Sequence, residues 1–134
     1  MSYLLDTNIC IYIIKKKPTT VVNKLSSLPI NNVGISSVTL SELYYGVDKS
    51  SRPDQNELAL WEFLSILTIY SYGERAAREY GSIRSRLERH GKTIGPMDML
   101  IAAHALSLGL VLVTNNEKEF RRVEGLRIEN WAKE

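Results

Sequence analysis

The fold is indicated most clearly by residues 94–116, which read IGPMDMLIAAHALSLGLVLVTNN. Pro96 suits the first turn of a helix, where its missing N–H costs nothing, and Gly109 is a typical helix stop. The apolar run Leu110–Val113 follows directly and has the length and composition of a buried strand. A helix that passes through a tight turn into an apolar strand is typical of parallel α/β proteins.

The same alternation of strands and helices continues through the rest of the chain. Apolar positions at helical spacing, such as Leu40, Leu43, Tyr44 and Val47, separate the short apolar runs. The runs are continuous rather than alternating, which favours a parallel sheet covered by helices on both faces. We therefore predict one α/β domain over residues 1–134 with a central parallel sheet of four to five strands. The predicted strands are Tyr3–Leu5, Val33–Ser36, Thr68–Tyr72, Leu110–Val113 and Leu126–Ile128.

Length and composition exclude several classes of protein. A chain of 134 residues is one domain in size, and 44% hydrophobic with 24% charged residues excludes a disordered chain. No apolar run reaches the roughly 20 residues that a membrane-spanning helix needs. Cys10 is the single cysteine and has no partner for an internal disulfide, which is typical of a reducing compartment. We expect a cytoplasmic protein that does not enter a membrane.

Three acidic residues stand apart from other charges. Asp6 is the only acid in the first 41 residues, and Glu42 is the only charged residue between positions 25 and 47. Asp98 is the only charged residue from position 93 to position 116. A carboxylate in apolar surroundings is costly unless a partner or a metal compensates it. Each also has a structural alternative, because Asp6 and Asp98 suit helix N-termini and Glu42 completes a capping box with Thr39.

The positions of these acids relative to the predicted strands favour a shared site. Ligands of parallel sheets bind beyond the carboxyl ends of the strands, where Asp6, Ser36–Glu42 and Thr114–Asn116 are predicted. Clustered carboxylates suit a hard cation such as Mg²⁺ or Mn²⁺, and the chain has no Cys and His spacing typical of zinc. A metal held in this way polarises a phosphoryl oxygen and orients an attacking water. The pattern predicts phosphodiester hydrolysis.

Basic residues form a candidate surface for a polyanionic substrate. The net charge of +2 is too small to indicate nucleic acid by itself. From Arg75 to Lys92, however, the chain has six basic residues against two acids, and Lys15–Lys17 form a second cluster. Solvated helix faces explain either cluster alone, but beside an acidic metal site they would hold a phosphate backbone. The candidate contacts are Arg84, Arg86, Arg89 and Lys92.

Four short motifs follow one another in the order Leu5–Asn8, Ser36–Glu42, Gly95–Ala105 and Val113–Phe120. In this order the sequence resembles the PIN-domain ribonucleases, and among them the VapC toxins of bacterial type II toxin–antitoxin systems. The resemblance covers nearly the whole chain, as far as Trp131.

The resemblance implies a PIN-like three-layer α/β/α fold and an endoribonuclease that depends on Mg²⁺ or Mn²⁺. Such an enzyme would cleave structured RNA, such as tRNA, and thereby inhibit translation and growth. The resemblance also implies a homodimer and a VapB-like antitoxin whose tail blocks the active site within a higher assembly.

The resemblance assigns roles to individual residues as well. Asp6, Glu42 and Asp98 match the catalytic acids of the family, with Asp6 and Asp98 as the metal ligands. Asn116 stands where many PIN domains have a fourth acid, which argues against a tightly held second metal ion, although Glu119 is placed to contribute. The ancillary residues are Thr114, Asn116 and Glu119.

Three alternatives to this interpretation differ in what they require. A haloacid dehalogenase-type phosphatase needs a second Asp two residues after the first, where the chain has Asn8. A receiver domain needs a phosphoacceptor Asp after a central strand and a late Lys, and neither is evident. A non-catalytic RNA-binding module would gain nothing from burying like charges together. His104 and Cys10 lie among apolar residues and are expected to be packing residues.

Overall fold

Within residues 2–133, which the structure describes, five parallel strands form one central sheet. The structure is a computed structural model, and Met1 and Glu134 of the predicted 1–134 domain lie outside the described residues. The strands are β1 (Tyr3–Leu5), β2 (Val33–Ser36), β3 (Thr68–Tyr70), β4 (Val111–Val113) and β5 (Ile128–Glu129). Their order in the sheet is β3-β2-β1-β4-β5, and the predicted parallel sheet of four to five strands is confirmed.

Helices cover both faces of the sheet. Alternate residues of a strand point to opposite faces, so Tyr3 and Leu5 of β1 join one buried cluster and Leu4 joins the other. The helices are α1 (Thr7–Lys15), α2 (Thr19–Ser26), α3 (Ser37–Asp48), α4 (Pro53–Leu64), α5 (Glu74–Arg89), α6 (Pro96–Leu108) and α7 (Glu117–Phe120). The first cluster contains side chains of α1 to α4, and the second contains side chains of α5 to α7. The predicted three-layer arrangement is therefore confirmed.

Local sequence signals explain where α6 begins and ends. Pro96 occupies its first turn, and Gly109 follows its last residue with a left-handed φ of 66°. The strand β4 begins two residues later and is buried throughout. In the described part of the chain, no helix combines the length and apolarity needed to cross a membrane.

Three predicted strands differ in their bounds because other contacts take over the backbone. The fourth begins at Val111 rather than Leu110, since the Leu110 N–H donates to the carbonyl of Ala105 in α6 at 3.0 Å. The third strand ends at Tyr70 rather than Tyr72, since the Tyr72 N–H donates to Oγ of Ser37, 3.1 Å away, outside the ladder. The fifth strand spans Ile128–Glu129, because pairing with β4 begins only after the Gly125 turn, at the carbonyl of Arg127.

The order of the strands reverses at β1. The chain runs from β1 through β2 to β3 on one side and then returns to place β4 on the other side of β1. Leu5 pairs with Val113 in register, so the residues that follow these two strands, Asp6 and Thr114, are neighbours at the same edge. A crevice at such a reversal is where parallel sheets bind ligands.

Candidate active site

Asp6 lies at the carboxyl end of β1 and caps α1. Its Oδ1 accepts the N–H of Ile9 at 2.9 Å, and the residue is only 4% exposed. Burial raises the pKa of Asp6, hydrogen bonds from Thr114 and Ile9 oppose that increase, and the charge of Glu42 adds to it. The capping alternative for Asp6 is therefore correct, and the same carboxylate also faces a second acid.

Glu42 is positioned by Thr7 and not by a capping box. The N-cap of α3 is Ser36, whose Oγ accepts the Val38 N–H at 3.0 Å, so the predicted box of Thr39 and Glu42 is wrong. Glu42 lies instead in the second turn of α3, where its Oε1 accepts a hydrogen bond from the hydroxyl group of Thr7. Because Thr7 directly follows Asp6, this bond brings Glu42 to the end of β1.

Thr7 is a residue whose role the sequence pattern did not reveal. In the sequence Thr7 is one residue of the Leu5–Asn8 motif, and its position directly after the isolated Asp6 is the only local sign of a role. The contact joins positions 35 residues apart, so no local periodicity indicates it.

Asp98 is the third residue of α6 and lies half-buried near the other acids. The pKa of Asp98 is raised to about 6, first by burial and then by the charges of Asp6, Glu119 and Glu42, in that order of size. A position in the first turn of a helix would by itself lower the pKa of a carboxyl group, because a helix N-terminus favours the charged form. The effects of the three charges indicate that Asp98 lies near the other carboxylates.

The segment after β4 completes this site. The Asn116 N–H donates to Oγ1 of Thr114 at 2.9 Å, which forms a tight turn at the end of the strand. The Asn116 side-chain amide donates to Oε2 of Glu119 at 3.1 Å, and Glu119 in turn acts on the pKa of Asp98. The structure thus brings all six predicted catalytic and ancillary residues to the carboxyl ends of β1, β2 and β4.

The chemistry of these side chains fits a hard divalent cation. The charged groups are carboxylates, and the pKa of Asp98 is raised first by burial and then by the charges of three other carboxylates, which a cation would neutralise. Across residues 2–133, no three or more His, Cys, Asp or Glu side chains are already arranged as a metal-ligand cluster. Mg²⁺ commonly takes only one or two protein carboxylates and completes its shell with water and substrate phosphate. Two carboxylates, such as those of Asp6 and Asp98, would meet the requirement of that mode of binding.

The predicted RNA contacts on α5 fall into two groups. Arg84 is engaged within its own helix, with Glu88 at 3.2 Å and the Tyr80 hydroxyl at 3.0 Å. Arg86 and Lys92 instead line a cleft between the end of α5 and α7, whereas Arg84 and Arg89 do not. Only part of the predicted basic cluster therefore lines this cleft.

His104 and Cys10 are packing residues, as expected. His104 is 1% exposed, its ring contacts Tyr72 edge-on at 5.3 Å, and burial lowers its pKa. Cys10 is fully buried on α1, and burial raises the pKa of its thiol.

Comparison with known proteins identifies close relatives of this sequence. Residues 3–126 match the family model of the PIN domain. The chain is 46% identical over 135 residues to ribonuclease VapC2 of Haemophilus influenzae, covering 98% of this chain and 99% of the relative. It is also 46% identical over 132 residues to the tRNA(fMet)-specific endonuclease VapC of Shigella flexneri, with the same coverage.

Solved structures show the same similarity in three dimensions. VapBC2 from Rickettsia felis, bound to a DNA fragment from its promoter, contains a chain with a TM-score of 0.93 and 47% identity, covering 98% of this chain and 99% of that one. DNA-bound VapBC from Salmonella typhimurium gives a TM-score of 0.92 at 45% identity, covering 98% of both chains.

Proposed function

The chain belongs to the PIN-domain family and, within it, to the VapC ribonucleases, and from this premise we propose that it is a metal-dependent endoribonuclease acting as the toxin of a type II toxin–antitoxin pair. Membership of this family decides against the phosphatase and receiver alternatives. The observation that carries the proposal is the placement of Asp6 at the point where the strand order reverses, with Thr7 bonding Glu42 to the same end of β1 and Asp98 in the first turn of α6.

Asp6 and Asp98 are the residues that would hold Mg²⁺ or Mn²⁺. When bound, the ion would supply Lewis-acid polarisation of the phosphoryl oxygen and would lower the pKa of a water molecule. The chain orients these ligands beforehand, because the bond from the Ile9 N–H fixes the carboxylate of Asp6 and the first turn of α6 fixes the backbone of Asp98.

Glu42 is the candidate proton acceptor. Hydrolysis joins a water oxygen to phosphorus and breaks the bond from phosphorus to the leaving ribose oxygen. The attacking water loses one proton, and the leaving oxygen takes one proton from bulk water to become a hydroxyl group. Thr7 occupies Oε1 of Glu42, and Oε2 has no hydrogen-bond partner among the described residues. We assign Oε2 of Glu42 as the atom that accepts this proton. The side-chain amide of Asn116 holds Glu119 near Asp98.

The proposed substrate is structured RNA, and tRNA in particular. The Shigella flexneri relative is named a tRNA(fMet)-specific endonuclease and shares 46% identity over nearly the full length of both chains. Cleavage of tRNA would inhibit translation and growth. Because the Rickettsia felis and Salmonella typhimurium structures are VapBC complexes, we also propose a homodimer, a VapB-like antitoxin that blocks the site, and a higher assembly of the two in the cytoplasm.

The test is to map RNA ends after incubating purified protein with total tRNA in Mg²⁺, Mn²⁺ or EDTA. We expect defined cleavage with either metal, no cleavage in EDTA, and almost none by Asp98→Asn with metal present. Asp48→Asn removes an exposed acid of α3 and is the matched control, expected to cleave like wild type. Binding of RNA without cleavage would favour the non-catalytic module, and full activity of Asp98→Asn would refute the assigned site.

A further inference from the structure

A basic cleft of about 490 Å³ lies between the end of α5 and α7. Five Lys or Arg residues and one Glu line it, so the cleft has a formal excess of four positive charges with its His90 neutral. The whole chain has a net charge of only +2, which means that this cleft concentrates positive charge that the rest of the molecule offsets. The charged residues are Arg86, Lys92, Lys118, Arg121, Arg122 and Glu124.

The cleft and the acidic site both take residues from α7 and the segment that follows it. Glu119 acts on Asp98, whereas Lys118 and the two arginines that follow the helix line the cleft. Arg122 donates to the carbonyl of Thr93 at 2.9 Å, in the loop that leads into α6 and Asp98. A helix with its side chains is about 10–12 Å across. One RNA strand is therefore able to reach both places.

Some cationic groups of the cleft form ion pairs with nearby carboxylates, and others do not. Arg86 forms an ion pair with Glu124, and Arg121 forms one with Glu117, both at 2.9 Å. The pair of Arg86 and Glu124 is exposed and adds little stability, and Glu117 keeps Lys133 at 2.7 Å when Arg121 leaves it. Either guanidinium therefore exchanges its carboxylate for a phosphate at small cost. Lys92 and Lys118 are exposed and have no ion-pair partner within residues 2–133.

We propose that this cleft binds the phosphate backbone of the substrate RNA beside the scissile bond, an inference that rests on the proposed ribonuclease function. The carboxylates of the active site repel a polyanion, so affinity has to come from a neighbouring positive surface. Apart from His90, the lining residues include no aromatic ring on which a base could stack, which favours contacts with phosphate over base readout. Arg86 and Lys92 belong to this surface, and Arg84 and Arg89 do not.

The decisive variant is Lys92→Gln combined with Lys118→Gln. Its control is Arg75→Gln combined with Arg78→Gln, which removes the same charge from exposed positions of α5 outside the cleft. Binding of a single-stranded RNA is measured in EDTA at several salt concentrations. We expect the Kd of the cleft variant to rise about tenfold and its salt slope to fall by about 1.4, since each lost phosphate contact contributes about 0.7. The control should show neither change.

A substitution that makes the cleft more positive distinguishes the effect of charge from a general loss of structure. Glu124→Gln removes the negative charge of the cleft and releases Arg86, so we expect the Kd for RNA to fall about twofold to threefold. In cleavage assays with Mg²⁺, the double lysine variant should raise KM and leave kcat unchanged, because the residues hold RNA and do not act on the reacting atoms.

The outcomes separate this inference from the proposed function. Unchanged RNA affinity and salt slope in the double lysine variant, with metal-dependent cleavage intact, would overturn the cleft assignment and leave the ribonuclease proposal standing. Failure of wild type to cleave any RNA would overturn the ribonuclease proposal, and the EDTA binding data would still decide the cleft. If the variant binds RNA normally but loses binding to an acidic antitoxin segment, the cleft serves a protein partner and our inference is wrong.

Discussion

Nδ1 of His104 lies 2.7 Å from Oγ of Ser36, and both residues are buried. The pair joins α6, which carries Asp98, to the point where β2 passes into α3, which carries Glu42. The same serine oxygen accepts the Val38 N–H and caps α3. A single buried contact therefore fixes two acid-bearing helices relative to each other.

The first prediction concerns this contact. His104→Ala should lower the free energy of unfolding by about 2–4 kcal/mol, because it opens a cavity and leaves a buried Ser36 hydroxyl with one partner fewer. Burial lowers the pKa of His104 in the folded protein. The stability that the neutral ring contributes is therefore complete above its pKa in the unfolded chain, about 6.5, and is lost as the pH falls below that value. Denaturant unfolding at pH 8 and pH 5.5 should show less pH dependence in the variant.

The control for this experiment is His90→Ala, at the exposed end of α5. Its unfolding free energy should stay within about 0.5 kcal/mol of wild type. If the unfolding free energy falls equally in His104→Ala and in wild type between pH 8 and pH 5.5, protonation of the His104 ring is not coupled to unfolding.

The second prediction concerns repulsion at Asp98. Asp98→Asn should stabilise the metal-free protein at pH 8 by about 1–2 kcal/mol. The rise of the Asp98 pKa from 3.8 to about 6 corresponds to about 3 kcal/mol, and the solvent around this half-buried group reduces that free energy. A raised carboxyl pKa destabilises the fold above about pH 6, and the penalty disappears as the pH falls toward the unfolded value of 3.8. In EDTA, the difference in unfolding free energy between Asp98→Asn and wild type should be smaller at pH 5 than at pH 8. Asp48→Asn should show no such gap, and a less stable Asp98→Asn at pH 8 would contradict the shared site.

The third prediction separates the two roles of Asp6. Asn retains an oxygen that can cap α1 but removes the charge, whereas Ala loses about 1 kcal/mol of capping energy. Asp6→Asn should therefore melt a few degrees above wild type in EDTA, and Asp6→Ala should melt below Asp6→Asn. Mg²⁺ should raise the Tm of wild type more than that of either variant. Thermal melts with and without Mg²⁺ are the measurement, and equal Mg²⁺ responses would place Asp6 outside the metal site.

The fourth prediction concerns the hydrogen bond from Thr7 to Glu42. Thr7→Val removes the hydroxyl that orients the proposed proton acceptor, so kcat should fall about tenfold while the Kd for RNA stays unchanged. Thr7→Ser should restore the rate because it restores the donor. Thr68→Val, at an exposed position of β3, is the control and should be neutral. An unchanged kcat in Thr7→Val would mean that Glu42 does not need this orientation.

The fifth prediction uses Asn116. Asn116→Asp replaces a donor to Glu119 with a like charge, so the metal-free protein should lose a few degrees in Tm. The added carboxylate should tighten Mn²⁺ binding, since ligand charge raises the affinity for hard cations. Calorimetric titration with Mn²⁺ measures this directly, and unchanged affinity would exclude Asn116 from the metal surroundings.

Much of the fold and the acidic residues could be predicted from the sequence because those signals are local. Pro96 and Gly109 delimit α6, and the apolar run after them is β4, as expected from neighbouring residues alone. Asp6, Glu42 and Asp98 were recognisable because each is an isolated charge in an apolar segment. The carboxyl ends of parallel strands meet at one edge, so the convergence of these acids followed from the strand assignment.

Contacts between distant segments were decided only by the tertiary structure. Ser36 caps α3 in place of the expected Thr39 and Glu42 pair, and Thr7 bonds to Glu42 across 35 positions. The basic cleft likewise combines the end of α5 with residues near α7, which no stretch of the chain shows together. Helical and strand periodicity reports which face a residue occupies, but the partner on the facing element depends on strand order and packing. Sequence alone therefore identified the acids, and the packed fold determined which hydroxyls, amides and cations lie beside them.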